Sequence, residues 1–344
     1  MTINEIKNLL QSPAYDFLRK DPHLGKNVIL LGLGGSHAYG TNTETSDIDI
    51  RGIALNSKEE LLTNVGFEQF VNEETDTTIY AFNKMISLLS NVNPNTIEIV
   101  GLKPEHYLYI SPVGQELINH KNMFLSTRCV QTFGGYATAQ LRRLQSKAAR
   151  EIGQAEREQY IMNSITFADE SFRSHHAQMP EDGFKLYIDK SEKEDYDTEI
   201  FADVHLKHYP LRDLHGIIGE YSNVINMYDK VGKRNQHAMV HEKIGKHMCH
   251  LIRLYYMCFD ILEKGEIITY RENEHDLLMS IRNGEWLDEN KQPIQDFYKL
   301  VDDLEKRMQK DREQTKLPQK PDYAAINRFM ISVNERIVNG SLSV

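Results

Sequence analysis

The pattern of hydrophobic and polar positions divides the chain into two parts. Up to about residue 110, short apolar runs alternate with helical segments, which is typical of a sheet with helices packed against it. Beyond that point apolar residues recur every three or four positions over long stretches, and strand patterns become rare. The predicted strands are 27–33, 47–55, 76–80, a β-prone run at 96–100, and 184–188.

These patterns predict an α+β fold. A small mixed β-sheet would lie in an N-terminal domain at residues 1–110, and a mostly α-helical C-terminal domain would follow at 111–344. The sequence Ser-Lys-Glu-Glu at 57–60 indicates a capping box and the start of a helix. The predicted helices are 3–10, 82–89, 113–120, 127–150, 156–176, 211–230, 238–264, 274–283, 293–310 and 323–339, with a polar acidic loop at 190–199 and a linker at 314–321.

Two aspartates stand one residue apart at the start of the second predicted strand. Asp47 and Asp49 are separated by an isoleucine and followed by another. Alternate residues of a strand point to the same face, so the pattern predicts both carboxylates on one face and the isoleucines in the core. Each carboxylate of such a pair raises the pKa of the other unless a cation neutralises their charge, and their oxygen atoms suit Mg²⁺ or Mn²⁺ as ligands.

A site for two metal ions needs a third carboxylate, and the chain offers three candidates. Asp76 is favoured because it opens the next predicted strand and could lie beside Asp47 and Asp49 in one sheet. Glu74, two residues earlier on the same face, is the near alternative. Glu98 stands as a single charge within an apolar run, where burial without a partner would be costly.

The turn before these aspartates predicts an anion-binding site. Gly35 lets backbone N–H groups approach an anion closely, and the Ser36 hydroxyl adds a donor. The dinucleotide fingerprint G-x-G-x-x-G is incomplete, because its third glycine is missing and no βαβ unit follows. A phosphate cradle beside a metal-binding pair is the combination that phosphoryl transfer requires.

The predicted helix 238–264 carries a basic face next to its apolar stripe. Lys243, Lys246, His247, His250 and Arg253 follow at helical spacing, with no acidic residue among them. This face would hold a triphosphate or an RNA strand across the cleft from the carboxylates. A zinc-protease interpretation of residues 241–245 fails because the last position is glycine.

Composition limits the kind of protein in which this predicted site occurs. The 344 residues carry a formal charge of −10, which argues against nucleic-acid binding over the whole surface but leaves room for a local basic cleft. The three cysteines are not spaced as metal ligands are, which predicts reduced thiols in a cytoplasmic protein. No apolar run predicts a membrane span or a signal peptide. The oligomeric state stays open.

Several segments together resemble a known family. The segments are Gly-Ser-His-Ala-Tyr-Gly at 35–40, Ser-Asp-Ile-Asp-Ile-Arg-Gly at 46–52, Asp-Thr-Thr-Ile-Tyr at 76–80, Asn-Pro-Asn-Thr-Ile-Glu at 93–98, Tyr-Arg at 270–271 and Ile-Arg-Asn-Gly-Glu at 281–285. They resemble the DNA polymerase beta-like nucleotidyltransferase superfamily, and within it the predicted nucleotidyltransferases associated with RNA ligase. Tyr39 lies in the extended turn of that branch.

The resemblance implies an enzyme that transfers a nucleoside monophosphate from a nucleoside triphosphate (NTP) and releases pyrophosphate. It implies Mg²⁺ (or Mn²⁺) as cofactor and favours an RNA end as acceptor. A protein side chain, a small molecule or a catalytically silent nucleotide-binding module are the alternatives. With the residues above, the predicted site comprises Asp47, Asp49 and Asp76 as catalytic ligands of two metal ions, and Gly35, Ser36, Tyr39, Lys243, Lys246, His247 and Arg253 as nucleotide-binding residues.

Overall fold

The computed structural model describes residues 1–148, 180, 183–190, 198–212, 214–215, 218, 243–289 and 292–342. Two compact units make up the chain. The first combines Met1–Leu141, Gly245–Asp288 and Pro293–Val344, and the second combines Arg142–Ile244 with Glu289–Gln292. The division of the chain at residue 110 stays a prediction.

The core of the first unit is a five-stranded mixed sheet. Its strands are β1 (Val28–Leu33), β2 (Ile50–Ala54), β3 (Gln69–Asn72), β4 (Thr77–Ala81) and β5 (Tyr107–Ile110). They follow the order β3-β4-β2-β1-β5, in which β2 and β4 are parallel and all other neighbours are antiparallel. Every residue of the interior strand β1 is buried, as its unbroken apolar run predicts.

Helices cover the sheet and include most of the other residues that the structure describes. They are α1 (Ile3–Leu9), α2 (Phe17–Lys20), α3 (Gly35–Tyr39), α4 (Lys58–Leu62), α5 (Phe82–Ser90), α6 (Pro94–Ile97), α7 (Pro112–Asn119), α8 (Arg128–Ala148), α9 (Lys243–Phe259), α10 (His275–Arg282), α11 (Gln295–Gln314) and α12 (Tyr323–Val338), with a π turn at Asp260–Lys264. Helix α5 contacts β2 and β4, α7 contacts β1 and β5, and the last helix packs on α5. None of the helices in the described ranges is long and apolar enough to cross a membrane.

The second unit contains an antiparallel strand pair, β6 (Phe184–Lys190) and β7 (Thr198–Val204). The first of these strands includes the predicted strand 184–188. The predicted helix 156–176 lies outside the described residues, as do most of 211–230, positions 238–242 of the predicted helix 238–264 and positions 191–197 of the predicted acidic loop.

A mixed sheet followed by a mostly helical region confirms the predicted α+β fold, but single elements differ. Strand β2 begins at Ile50 and not at residue 47, because Ile50 already pairs with the last residue of β1 and the first of β4. The apolar run 96–100 is helical and not a strand. The side chain of Asn93 accepts a hydrogen bond from the Asn95 N–H (3.0 Å), and Pro94 occupies the first turn, which together start a helix.

Candidate active site

Asp49 and Asp76 are brought together by the parallel pairing of β2 with β4. The register pairs Ile50 with Thr77, so the residues directly before the two strands lie at the same edge of the sheet. The Ile50 N–H donates to the Asp76 carbonyl oxygen (3.1 Å). Asp76 has a left-handed φ of 44°, a conformation in which aspartate is enriched among residues other than glycine. The favoured third carboxylate therefore lies next to Asp49.

The environment of Asp49 makes its negative charge costly. Burial raises the pKa of Asp49 to about 6, together with a hydrogen bond to Asp76 and the charge of Asp76, and the positive charges of Arg51 and Lys246 partly offset this rise. Arg51 Nη2 lies 3.3 Å from Asp49 Oδ1 and 3.5 Å from Asp76 Oδ1. Arg51 Nη1 also donates to the Asp76 carbonyl oxygen (2.8 Å). A guanidinium group thus supplies positive charge to both carboxylates.

The glycine turn is in direct contact with Asp49. Gly35 has a φ of 53°, and a Cβ placed on it would overlap the Asp49 carboxylate. The Gly34 N–H donates to the Asp49 carbonyl oxygen (2.8 Å). Helix α3 begins at Gly35, and Ser36 is buried in its first turn. The predicted phosphate cradle and one predicted metal ligand are therefore parts of one packed structure.

A cavity of about 580 Å³ opens beside these residues. We call it the acidic cavity, because its lining includes Asp47 and Asp76 as well as three further carboxylates, Glu44, Glu73 and Glu74. The Asp47 side chain is exposed, and it precedes β2 instead of belonging to it. Asp47 and Asp76 share this wall, and the prediction that Asp47 and Asp49 belong to a strand is wrong, because β2 begins at Ile50.

The donor chemistry at this edge of the sheet fits a divalent cation. Asp49 and Asp76 offer oxygen ligands, which Mg²⁺ and Mn²⁺ prefer, and the raised pKa of Asp49 shows that positive charge there would be favourable. In the described part of the chain, no group of three or more His, Cys, Asp or Glu side chains is arranged so that it could hold a metal ion. In this structure Arg51 contacts both carboxylates, and Lys246 adds positive charge at Asp49.

His37 and Arg282 belong to the same site. His37 lies in the lining of the acidic cavity with 9 % of its surface exposed, and its Nε2 atom has no hydrogen-bond partner. Burial lowers the pKa of His37, a hydrogen bond to the Ser46 backbone raises it, and the positive charges of the chain's N-terminus and of Arg282 lower it further. Arg282 Nη2 donates to Ser46 Oγ (3.1 Å), which places a guanidinium group at the loop that carries Asp47.

Tyr39 and Arg253, two predicted nucleotide-binding residues, lie in the interior. Both contact Glu98, which accepts a hydrogen bond from the Tyr39 hydroxyl and pairs with Arg253 Nη1 at 3.2 Å. The guanidinium carbon of Arg253 lies 3.4 Å from the centre of the Tyr39 ring, and Nη2 lies 2.8 Å from His250 Nδ1. Only 2 % of Arg253 is exposed. The single charge of Glu98 thus has a cation as its partner.

The remaining predicted basic residues lie at the start of α9. Lys246 is exposed, and its charge reaches Asp49, where it lowers the pKa. His247 is half-buried. Lys243 begins the helix, but its side chain lies outside the described residues. A Cβ on Gly245 would be 2.5 Å from the Arg282 carbonyl oxygen, so the start of α9 packs against the end of α10 and brings Lys246 and Arg282 to one side.

Three residues of this site were not among the predicted site residues. Arg51, His37 and Arg282 all stand inside segments that carry the resemblance to nucleotidyltransferases. Arg51 follows Asp49 by two positions, and alternate residues of an extended chain share a face. That spacing was a usable signal for Arg51, whereas the approach of Arg282 depends on the packing of α9 on α10 and has no local signature.

The chain matches a family model over most of its length. The model is described as the RNA repair pathway DNA polymerase beta family (RlaP), and the match covers residues 15–332. It includes every residue of the site described above. Neither the curated proteins nor the solved structures include a significant match.

Proposed function

The chain belongs to the RNA repair pathway DNA polymerase beta family and is a polymerase-beta-like nucleotidyltransferase, and from this premise we propose that it transfers a nucleoside monophosphate from an NTP to a hydroxyl at an RNA end. In this reaction the hydroxyl oxygen of the acceptor attacks the α-phosphorus. The bond breaks between that phosphorus and the oxygen that bridges it to the β-phosphorus, and pyrophosphate leaves. The proton of the acceptor hydroxyl passes to solvent.

The carboxylates and the glycine turn take complementary roles in this proposal. Asp47, Asp49 and Asp76 would hold two Mg²⁺ or Mn²⁺ ions, which when bound supply positive charge to the acceptor oxygen and the triphosphate. Gly35 and Ser36 would approach the triphosphate with backbone N–H groups and a hydroxyl.

The basic residues of the first unit complete the nucleotide site. Lys246 and Arg282 carry positive charge at the carboxylate edge of the sheet, where negative oxygens of a bound triphosphate need partners. Arg51 neutralises Asp49 and Asp76 before substrate arrives. His247 stays a predicted nucleotide ligand, and so does Lys243, which belongs to the second unit. Glu98 is disfavoured as a metal ligand, because it is buried in an ion pair with Arg253. Glu74 lines the same cavity as Asp47 and Asp76 and stays the alternative ligand.

One observation supports the proposal most strongly. The parallel register of β2 and β4 places Asp49 and Asp76 side by side, and the Asp49 carboxylate packs on Gly35 of the phosphate-binding turn. A carboxylate pair and an anion-binding turn in contact are the two parts that metal-assisted phosphoryl transfer needs.

Labelled ATP, GTP, CTP and UTP with Mg²⁺, incubated with and without total RNA, test the proposal. We expect label in RNA, loss of that label in Asp49→Asn and Asp76→Asn, and loss in wild type when EDTA removes the metal. Asp303→Asn is the matched control, because Asp303 is exposed on α11 and is not among the residues that line the acidic cavity. Label in protein, or full activity of Asp49→Asn, would contradict the proposal.

A further inference from the structure

Arg51 contacts both the carboxylate pair and the glycine turn. Its Nη2 atom lies 3.3 Å from Asp49 Oδ1 and 3.5 Å from Asp76 Oδ1. The rest of its side chain lies against the turn, because a Cβ on Gly34 would be 2.9 Å from Arg51 Cγ and 3.6 Å from Arg51 Nε. One guanidinium group therefore lies where the predicted metal ligands meet the predicted phosphate-binding turn.

The two terminal nitrogens of Arg51 have different kinds of partner. Nη1 donates to two backbone carbonyl oxygens, that of Asp76 at 2.8 Å and that of Ile50 at 3.1 Å. Nη2 faces the two carboxylates at 3.3 and 3.5 Å, whereas a hydrogen bond from a cation to a carboxylate ordinarily measures about 2.7–2.9 Å. The backbone thus anchors the guanidinium group through Nη1, and the ion pairs through Nη2 are loose.

Arg51 loses its carboxylate partners if divalent ions bind to Asp49 and Asp76. Its backbone anchor keeps it beside those ions, and like charges at such a distance repel each other. An anion that reaches both the ions and the guanidinium group removes this repulsion. A triphosphate on the glycine turn is such an anion, and the planar fork of an arginine matches phosphate oxygens. The side chain is open to a ligand, because 24 % of it is exposed.

Resting on the proposed metal-dependent transfer, we propose that Arg51 is a further nucleotide-binding residue, which exchanges one anionic partner for another. In the ligand-free protein its Nη2 atom pairs with Asp49 and Asp76. When these carboxylates bind divalent ions, Nη2 pairs with an oxygen of the triphosphate, while Nη1 keeps its hydrogen bond to the Asp76 carbonyl oxygen. Metal ion and triphosphate therefore each strengthen the binding of the other, as coupled ligands must.

The exchange predicts two changes of opposite sign when the charge of Arg51 is removed. Arg51→Met should bind Mn²⁺ alone several-fold more tightly, because the ion no longer has to displace a guanidinium group from Asp49 and Asp76. The same variant should bind triphosphate in excess Mg²⁺ about tenfold more weakly, because a charge-assisted hydrogen bond is lost. A residue that only held the site in shape would weaken both kinds of binding when it is replaced.

Isothermal titration calorimetry of the full-length protein measures both Kd values. The probes are Mn²⁺ alone and inorganic triphosphate in excess Mg²⁺, and the second probe does not depend on which base the enzyme uses. The pH is 8, because Arg51 lowers the pKa of Asp49, which is about 6 in wild type, and this carboxylate must stay ionised in the variant. The ionic strength is low, because salt screens exposed charges.

Arg336→Met is the matched control for the change in net charge. Arg336 is also an arginine with a carboxylate partner, since its Nη2 atom lies 2.7 Å from Glu116 Oε2, and 30 % of its side chain is exposed. Its partner is not a residue of the site. We therefore expect Arg336→Met to keep both Kd values within about twofold of wild type, because exposed charges interact weakly.

The outcomes separate this proposal from the proposed function. Unchanged or weaker Mn²⁺ binding in Arg51→Met, or an unchanged Kd for triphosphate, would overturn the exchange even where wild type transfers label to RNA. Both predicted changes in a protein that transfers no label would overturn the proposed function alone. If Arg51→Met does not fold, Arg51→Gln must show both changes, because its amide can still donate to the Asp76 carbonyl oxygen but carries no charge.

Discussion

Replacement of Arg253 by methionine separates a structural role from a nucleotide-binding role. Arg253 is 2 % exposed and pairs with Glu98, which is 6 % exposed. Its guanidinium group also stacks on the Tyr39 ring. Arg253→Met leaves the carboxylate of Glu98 buried without its cation, and loss of one partner of a buried pair costs about 3–5 kcal/mol.

The expected loss is large enough to measure by thermal unfolding of the ligand-free protein. A change of 1 kcal/mol shifts the Tm of a unit of 150–250 residues by about 2–4 °C, so Arg253→Met should lower the Tm by roughly 10 °C. Adding Glu98→Gln to Arg253→Met removes the unpaired charge. The double variant should therefore be more stable than Arg253→Met alone, which a double-mutant cycle quantifies.

Arg307→Met is the matched control for this experiment. Arg307 also combines a carboxylate partner, Glu263, with an aromatic ring, Phe259, but 45 % of its side chain is exposed. Exposed ion pairs contribute about 0.2–1 kcal/mol, so the control should lose little stability. If Arg253→Met kept its Tm and instead weakened NTP binding, the interpretation of Arg253 as an interior residue would be refuted.

Three further outcomes follow from the site. Gly35→Ala should abolish transfer and lower the free energy of unfolding by about 1–3 kcal/mol, because Gly35 has a positive φ and the added Cβ would overlap Asp49. Gly66→Ala should do neither, because its added Cβ would meet nothing within 4 Å. The pKa of Asp49 is raised from 3.8 to about 6 in the folded protein, so the free energy of unfolding of the ligand-free protein should fall as pH rises from about 4 to 6, and the whole loss is present above pH 6. Asp49→Asn should remove this pH dependence in urea titrations and raise the free energy of unfolding at neutral pH. Lys246→Ala should raise the KM for NTP several-fold with a smaller effect on stability, measured by steady-state kinetics and thermal unfolding.

The carboxylate site was predictable in part because its signals are local. The apolar run of β1, the glycine turn and the Asp-x-Asp pair all lie within about 25 residues. The position of Asp76 is different, because it depends on parallel pairing between β2 and β4, with β3 between them in sequence and outside them in the sheet. Sequence favoured Asp76 as the start of a strand, but nothing local specified that strand's neighbour.

The basic face of α9 shows where periodicity is insufficient. Lys246 and Arg253 lie seven residues apart and therefore on one side of the helix, yet Lys246 is exposed and Arg253 is buried. The reason is that residues 251–262 are buried nearly all round, as in a helix enclosed by the core. Helical spacing identifies which residues share a side, but only the tertiary packing determines whether that side faces solvent.

Arg51 links the stability of the ligand-free protein to the chemistry of its site. Two carboxylates at one sheet edge repel each other, and the structure limits this repulsion with a guanidinium group at 3.3 and 3.5 Å. A divalent cation at the same carboxylates competes with Arg51 for their charge, so part of its binding free energy must replace that ion pair. The burial that raises the pKa of Asp49 favours the binding of a cation instead, because Arg51 and Lys246 only partly compensate the charge of this carboxylate. Under the proposed metal-dependent transfer, the site therefore favours a ligand that adds positive charge, which a divalent ion does.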